Sequence, residues 1–192
     1  MDRVEADTAR EVQRGSAGCN RMIDPRVLFE VRPAASLLLA ESDDKAAADA
    51  VLGWGAAGLT VRVLRGRKMR TLDSLFDEVA AALQFPYYFG ENWAAFHECL
   101  ADMDWLPAGE GIVISVLQPD EVLSDAPGSE LAVLVRIIRD AADTYGEPIS
   151  LGEWWDRPAL PFHVVLHAGP GEGDAVRRRW EDAGGVITPL GR

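Results

Sequence analysis

Acidic side chains recur at helical spacing near the middle of the chain. Glu91, Glu98 and Asp102 fall nearly in line along one side of a helix, and Ala94 and Ala95 keep the surface between them low. A carboxylate projected from a rigid helix forms charge-assisted hydrogen bonds with cationic side chains. The pattern therefore predicts a surface for a cation-rich partner, although an acidic stripe is also typical of a solvated helix face.

The helix that carries these carboxylates needs an apolar side to hold it in place. That side is the stripe Trp93, Phe96, Leu100 and Met103, with Cys99 flanking it. Ahead of the helix, Gly90 permits a sharp turn and Asn92 can cap the first helical turn. Tyr87 and Tyr88 then lie on a constrained loop, where they belong either to a binding surface or to the core and its rim.

This segment resembles a known family signature. The run Pro-Tyr-Tyr-Phe-Gly-Glu-Asn at 86–92, with a helix ending in Cys99-Leu100, is similar to barstar and its relatives, the protein inhibitors of secreted guanyl-preferring ribonucleases such as barnase. The order of the surrounding elements agrees with that family. We predict strands at 59–64, 112–117 and 162–167, and helices at 72–83 and 130–145. The resemblance covers about residues 57–169 and implies a small α/β layer, a short and mostly parallel sheet covered by helices.

The resemblance also implies a set of partner-binding residues. Tyr88 matches the second aromatic residue of the family motif, and Gly90 and Asn92 match its turn. An acidic position on the later helix, glutamate in barstar, aligns with Asp140.

The acidic helix departs from the family pattern at several of these positions. Ala94 stands where barstar has an aspartate, His97 where it has an exposed tryptophan, and Glu98 where it has its central aspartate. Asp102 and Asp104 add carboxylates where barstar has a turn. The side chain that carries the central carboxylate is thus one methylene longer than in barstar. The resemblance still implies an acidic helix that plugs the cationic site of its partner.

A ribonuclease active site gathers Arg, Lys and His to hold a phosphodiester, so a helix carboxylate can occupy the phosphate position. Glu98 is the candidate for that role, with Tyr88 and Trp93 as aromatic anchors, although the apolar stripe favours a packed Trp93. We therefore expect a ribonuclease inhibitor. The alternatives are a small hydrolase or nucleotide-handling enzyme that uses His97 and Glu98, or a barstar-like scaffold that binds a non-nuclease protein. Adjacent helix residues point about 100° apart, which disfavours the enzyme.

Charge and composition agree with a protein partner. The 192 residues carry a net charge of −12 with a pI of about 4.6, which steers association with a basic enzyme and repels nucleic acid. No stretch reaches the length of a membrane span. Two cysteines, Cys19 and Cys99, make a poor disulfide framework, and the N-terminus lacks a secretory pattern. We expect a cytoplasmic protein.

The chain divides into four predicted parts. A polar tail at 1–24 precedes added strands and a linker at 25–56, the barstar-like domain at 57–169, and a helix-strand extension at 170–192. Within the second part we expect two strand-forming runs broken at Pro33, a short helix at 45–52 and a Gly-Trp-Gly linker at 53–55, together forming a hairpin or a sheet edge. In the last part, Asp174 is expected to cap a short helix.

The remaining titratable groups give no enzyme motif. His163 and His167 have the four-residue spacing of zinc-binding helices, but their segment is predicted to be a strand, where positions four apart lie about 13 Å apart. The Gly171-Glu172-Gly173 turn lacks the other residues of a phosphate loop. We therefore expect neither a metal nor a cofactor.

Overall fold

The computed structural model describes residues 25–107 and 109–190. Its strands are β1 (Leu37–Glu41), β2 (Thr60–Arg65), β3 (Ile112–Leu117), β4 (Phe162–Ala168) and β5 (Ile187–Pro189). Its α-helices are α1 (Asp44–Ala56), α2 (Leu72–Leu83), α3 (Trp93–Asp102), α4 (Gly128–Gly146) and α5 (Gly173–Asp182). Within these described ranges all five strands are parallel, in the order β2-β3-β4-β1-β5. The predicted α/β fold with terminal extensions is confirmed.

Helices cover the sheet on both faces, because alternate strand residues point to opposite sides. On the first face, Val164 and Leu166 of β4 pack in the large core formed with α2, α3, α4 and α5. On the second face, Val165 packs with Trp54 of α1 and with Leu28. The connection from β1 to β2 runs across the sheet in the opposite direction from the later connections. A right-handed crossover therefore puts α1 on the second face, opposite α2, α3, α4 and α5.

The N-terminal extension joins the sheet directly. β1 lies between β4 and β5, with Leu37 opposite Val164 on one side and Ile187 on the other. Both pairings are parallel, which excludes the hairpin alternative. The sheet-edge alternative is also wrong for this segment, because β1 is an interior strand and β5 forms the edge. The division of the chain into four parts stays a prediction, and the tail at 1–24 lies outside the described residues.

The first of the two strand-forming runs is not a strand. Pro25–Phe29 forms a 3-10 helix, followed after a bend by a second 3-10 turn at Pro33–Ala35. Leu28 is fully buried against the second face of the sheet. The run therefore packs its apolar side chains across the sheet and does not pair with its edge, a tertiary contact that outweighs local strand propensity.

The Gly-Trp-Gly segment is also not a linker, because α1 continues through it to Ala56. Trp54 is 2% exposed and packs in the second core. Burial of so large a side chain contributes more than the roughly 1 kcal/mol that each helical glycine costs.

The cap predicted at Asp174 was wrong, whereas α2 begins with a capping box. Thr71 caps α2, and its side chain and that of Ser74 each accept from the other residue's backbone N–H. Asp174 lies inside the first turn of α5, whose N-cap residue is Glu172 and makes no side-chain cap hydrogen bond. No helix in the described part of the chain is both long and apolar enough to span a membrane.

Candidate functional site

The apolar side of α3 is fixed by the first core. Phe96, Leu100 and Met103 are buried, and Cys99 is 7% exposed, as the stripe predicts. Burial and the neighbouring carboxylates raise the pKa of the Cys99 thiol. Cys19, the other cysteine, lies outside the described residues.

Trp93 is packed at the start of this stripe. Its ring makes edge contacts with Phe76 and Phe96, at centroid distances of 5.2 and 5.5 Å. Its indole N–H donates to the Glu130 carboxylate of α4 at 2.7 Å. The residue therefore joins α3 to α2 and α4, and its partly buried ring is packed against the first core, as the apolar stripe predicts.

The turn before α3 is held by Asn92. Its side-chain oxygen accepts from the Ala95 N–H at 3.0 Å, which confirms the predicted cap, and its amide donates to the Gly90 carbonyl at 2.9 Å. The left-handed backbone of the turn is at Glu91, with φ of 47°. Glu91 thus lies ahead of the helix, and its placement on the acidic helix stripe was wrong.

The two tyrosines project from a loop that is anchored from below. Tyr87 is fully exposed and Tyr88 is 70% exposed, with their ring centroids 5.6 Å apart. Phe85 and Phe89, on either side of them, contact each other at 5.1 Å and pack against the first core. The two phenylalanines that flank the tyrosine pair thus hold the loop against the core, while the phenol rings face solvent.

The outer side of α3 presents Ala94, Glu98 and Asp102, spaced one turn apart and all exposed. Within the described residues, the carboxylate of Glu98 makes no hydrogen bond or ion pair. Its carboxylate therefore loses no internal contact when an external cation binds it.

At the end of this row, Asp102 lies close to Asp104. Partial burial and the adjacent Asp104 carboxylate raise the pKa of Asp102. Paired carboxylates of this kind hold a proton more readily than isolated ones and gain from an external cation.

His97 and Asp140 meet across the groove between α3 and α4. His97 Nε2 lies 3.7 Å from Asp140 Oδ2, and both side chains are about half exposed. A guanidinium nitrogen of Arg139 lies 3.9 Å from the other Asp140 oxygen. The structure thus brings Asp140 beside the acidic helix, although the role of these residues in binding stays a prediction.

The two strand histidines are buried on the second face of the sheet. His163 Nε2 is 3.0 Å from the Glu30 carbonyl oxygen, and His167 Nδ1 is 3.0 Å from Ser42 Oγ. Burial lowers the pKa of both rings, that of His167 to about 4. Among residues 25–107 and 109–190, no group of three or more His, Cys, Asp or Glu side chains is arranged to hold a metal ion.

Two structural features of the site were missed by sequence reasoning. They are the Trp93–Glu130 hydrogen bond and the ring cluster beneath the tyrosine loop, which also includes Trp105, whose indole N–H donates to the Leu83 carbonyl at 2.8 Å. The two phenylalanines that flank the tyrosine pair, at 85 and 89, were the available signal for the ring cluster. The hydrogen bond joins residues 37 positions apart and has no local signature.

Comparison with solved structures gives distant similarities. The chain is similar to Cdc6p from Pyrobaculum aerophilum, with 15% identity and a TM-score of 0.45, over 99% of this chain and 46% of that one. It is also similar to Drosophila ORC bound to DNA, with 14% identity and a TM-score of 0.42, over 86% of this chain and 83% of that one. The chain spans less than half the length of the Cdc6p chain. Similarities at these TM-scores support no conclusion about function.

No curated protein matches the sequence. The family model described as Barstar (barnase inhibitor) matches residues 59–167, which is more than half of the chain. This range contains the tyrosine loop, the acidic helix and Asp140. The chain belongs to the barstar family.

Proposed function

We propose that this protein inhibits a secreted guanyl-specific ribonuclease by inserting the outer side of α3 into the cationic active site of the enzyme. The observation that carries the proposal is Glu98, an exposed carboxylate on a capped helix with no hydrogen bond or ion pair to the described residues. In the inhibitors that this chain resembles, the position equivalent to Glu98 carries a carboxylate. Binding would give this group charge-assisted hydrogen bonds without breaking internal ones.

The tyrosine loop supports the same proposal. Binding energy concentrates in a few aromatic and charged anchors, and anchors that are already ordered lose less entropy when they bind. Tyr87 and Tyr88 are exposed, whereas Phe85 and Phe89 fix the loop beneath them. The loop thus offers a preorganised aromatic contact beside the acidic helix.

Long-range electrostatics adds to the rate of association. A net charge of −12 attracts a basic enzyme. Such steering weakens with added salt, since the Debye length is about 10 Å at 0.1 M ionic strength. We further propose that the protein acts in the cytoplasm of the cell that makes the nuclease.

We infer a binding protein and not an enzyme. His97 is directed to Asp140 at 3.7 Å, whereas its neighbour Glu98 has no such contact in the described part of the chain. The two side chains therefore do not form an acid-base pair, which argues against the hydrolase alternative.

The test is an inhibition assay against a panel of secreted guanyl-specific ribonucleases at low salt. We expect one-to-one inhibition of at least one enzyme, and an association rate that falls steeply as salt is added. Absence of inhibition across the panel at micromolar protein would contradict the proposal, and binding to a non-nuclease protein would then become the favoured alternative.

Glu98→Ala tests the residue assignment. We expect binding to weaken by about 2 kcal/mol, roughly thirtyfold, with little change in thermal midpoint because the side chain has no internal partner. Asp182→Asn, an equal charge change at the exposed end of α5, is the matched control and should leave affinity nearly unchanged. If Glu98→Ala binds like the parent while Asp140→Ala does not, the contact surface is displaced from α3.

A further inference from the structure

The loop at residues 149–157, between α4 and β4, carries two exposed tryptophans, and we call it the tryptophan loop. Trp154 is 90% exposed and Trp155 is 45% exposed, with their ring centroids 5.3 Å apart. Leu151, on the same loop, is also exposed. Single apolar residues scattered over a surface are ordinary, whereas large apolar side chains concentrated in one place mark contact sites on soluble proteins.

Hydrogen bonds hold the tryptophan loop in one shape. At its base, Ile149 and Arg157 form an antiparallel bridge and exchange both backbone hydrogen bonds, at 2.9 and 3.1 Å. Inside the loop, the Asp156 carboxylate accepts the backbone N–H groups of Leu151 and Gly152, at 2.9 and 2.8 Å. The indole rings are therefore presented on an ordered backbone, which lowers the entropy that a binding partner must remove.

The tryptophan loop is anchored to the last turn of α4. The Arg157 guanidinium donates to the carbonyls of Thr144 and Tyr145, at 3.0 and 3.3 Å, and lies 5.1 Å from the Tyr145 ring centroid. Burial raises the pKa of the Tyr145 hydroxyl, whereas the nearby guanidinium lowers it. The carboxylates of Asp102 and Asp104 raise the same pKa, so the end of α3 lies near this turn.

The acidic helix thus has an aromatic loop at each end. α3 and α4 run side by side in the same direction, since Trp93 donates to Glu130 near their starts and His97 faces Asp140 further along. The tyrosine loop precedes α3, and the tryptophan loop follows α4. The 10 residues of α3 span about 15 Å, whereas a standard interface of about 800 Å² per partner is about 30 Å across. One partner of ordinary size can therefore reach both loops.

The charges near the tryptophan loop indicate the kind of partner. Glu153 on the loop and Glu147 before it are exposed, and Asp102 and Asp104 lie near its base. The Arg157 guanidinium is directed to backbone carbonyls. These carboxylates repel an anionic membrane and a second copy of this chain, whose net charge is −12. Indole faces attract lysine and arginine side chains by cation–π contact, and a basic enzyme supplies such side chains.

We propose that the tryptophan loop is a second contact arm for the ribonuclease, a role that rests on the inhibitor function proposed above. Trp154 and Trp155 pack on a surface of the enzyme that carries lysine or arginine, beside the active site that receives α3. The tyrosine loop contacts the enzyme at the opposite end of α3. The tryptophan loop therefore contributes to the choice among related nucleases, because it contacts their surface outside the shared active site.

The experiment measures the affinity of the full chain and its variants for a nuclease that the parent inhibits, by surface plasmon resonance at low salt. Trp154→Ala should weaken binding about tenfold, mainly through faster dissociation. Its thermal midpoint should hardly change, because the side chain is exposed. Leu52→Ala is the matched control, since Leu52 is 72% exposed on α1, which packs on the opposite face of the sheet. It should leave affinity nearly unchanged.

A second measurement locates the contact on the loop. In protein labelled with fluorotryptophan, the ¹⁹F resonance of Trp154 is assigned by its loss in Trp154→Phe, and it should shift when the nuclease is added. Trp154→Phe should also bind more tightly than Trp154→Leu, because only phenylalanine keeps an aromatic face for a cation.

The outcomes separate this contact from inhibition itself. If no enzyme in the panel binds the parent, the inhibitor function fails and the contact fails with it. If an enzyme binds Trp154→Ala as tightly as the parent and the Trp154 resonance does not move, the contact alone is wrong. Self-association of the parent that Trp154→Ala abolishes would also overturn the proposal, as would a Trp154 shift caused by neutral oligosaccharides without the nuclease.

Discussion

Acidification should destabilise this protein well before its ion pairs are lost, because β4 buries two neutral histidines. His163 and His167 are 0% and 4% exposed. Burial lowers the pKa of His163, and it lowers that of His167 from 6.5 to about 4. Between pH 6.5 and 4 the unfolded chain therefore binds more protons than the folded chain. The stabilising effect is present above pH 6.5 and is lost as the pH falls toward 4.

The size of the effect follows from the His167 shift. Each unit of pKa difference corresponds to about 1.4 kcal/mol, so lowering the pH from 7 to 4.5 should cost about 2 kcal/mol from His167 alone. His163 adds to this in the same direction. Glu78, Asp125 and Asp156 have lowered pKa values because of hydrogen bonds from arginines or backbone amides, so they titrate below this window.

The assay is urea unfolding at intervals from pH 7 to 4.5. The parent should lose at least about 2 kcal/mol of unfolding free energy, and His167→Gln should lose clearly less over the same interval, whatever its stability at pH 7. His97→Gln is the control, because water reaches the His97 ring in the folded protein. Equal pH slopes for His167→Gln and the parent would refute the reasoning, since the ring would then not be buried in its neutral form.

Two further predictions concern α3. Asn92→Ala should lower the unfolding free energy by about 1 kcal/mol, measured by urea denaturation, because the Ala95 N–H loses its cap. Asn92→Asp keeps the acceptor for that N–H but not the donor to the Gly90 carbonyl, and it should lose less than the alanine variant. Cys99 should react with a thiol reagent only after denaturant is added, since it is buried and its pKa is raised, whereas Cys19 is predicted to react at once. Rapid modification of Cys99 in the folded chain would contradict the assigned helix faces.

Segments with strong local patterns were predicted well. The bounds of α2 and β3 agree with the predicted 72–83 and 112–117. In α2 the apolar positions repeat at helical spacing and Thr71 marks the start, so periodicity and cap chemistry give the same boundary. In β3 a continuous apolar run matches a strand covered on both faces.

The errors occurred where distant contacts decide the local structure. Residues 26–29 have strand propensity but form a 3-10 helix that buries Leu28 on the sheet. Gly53 and Gly55 suggested a break, yet burial of Trp54 keeps them helical. A crevice of about 560 Å³ at the carboxyl ends of β1, β3 and β4 was also not predicted, because its walls come from residues 42–47, 117–120 and 167–172, which only the strand order brings together.

The same strand order explains why the added segment matters to the family strands. His163 and His167 point to the second face of β4, where Glu30, Ser42 and Trp54 of the N-terminal extension contact them. The extension thus buries the two rings, whereas α3 packs on the first face. A change in the extension should therefore alter acid stability and the crevice before it alters the acidic helix, because the central sheet separates the two surfaces.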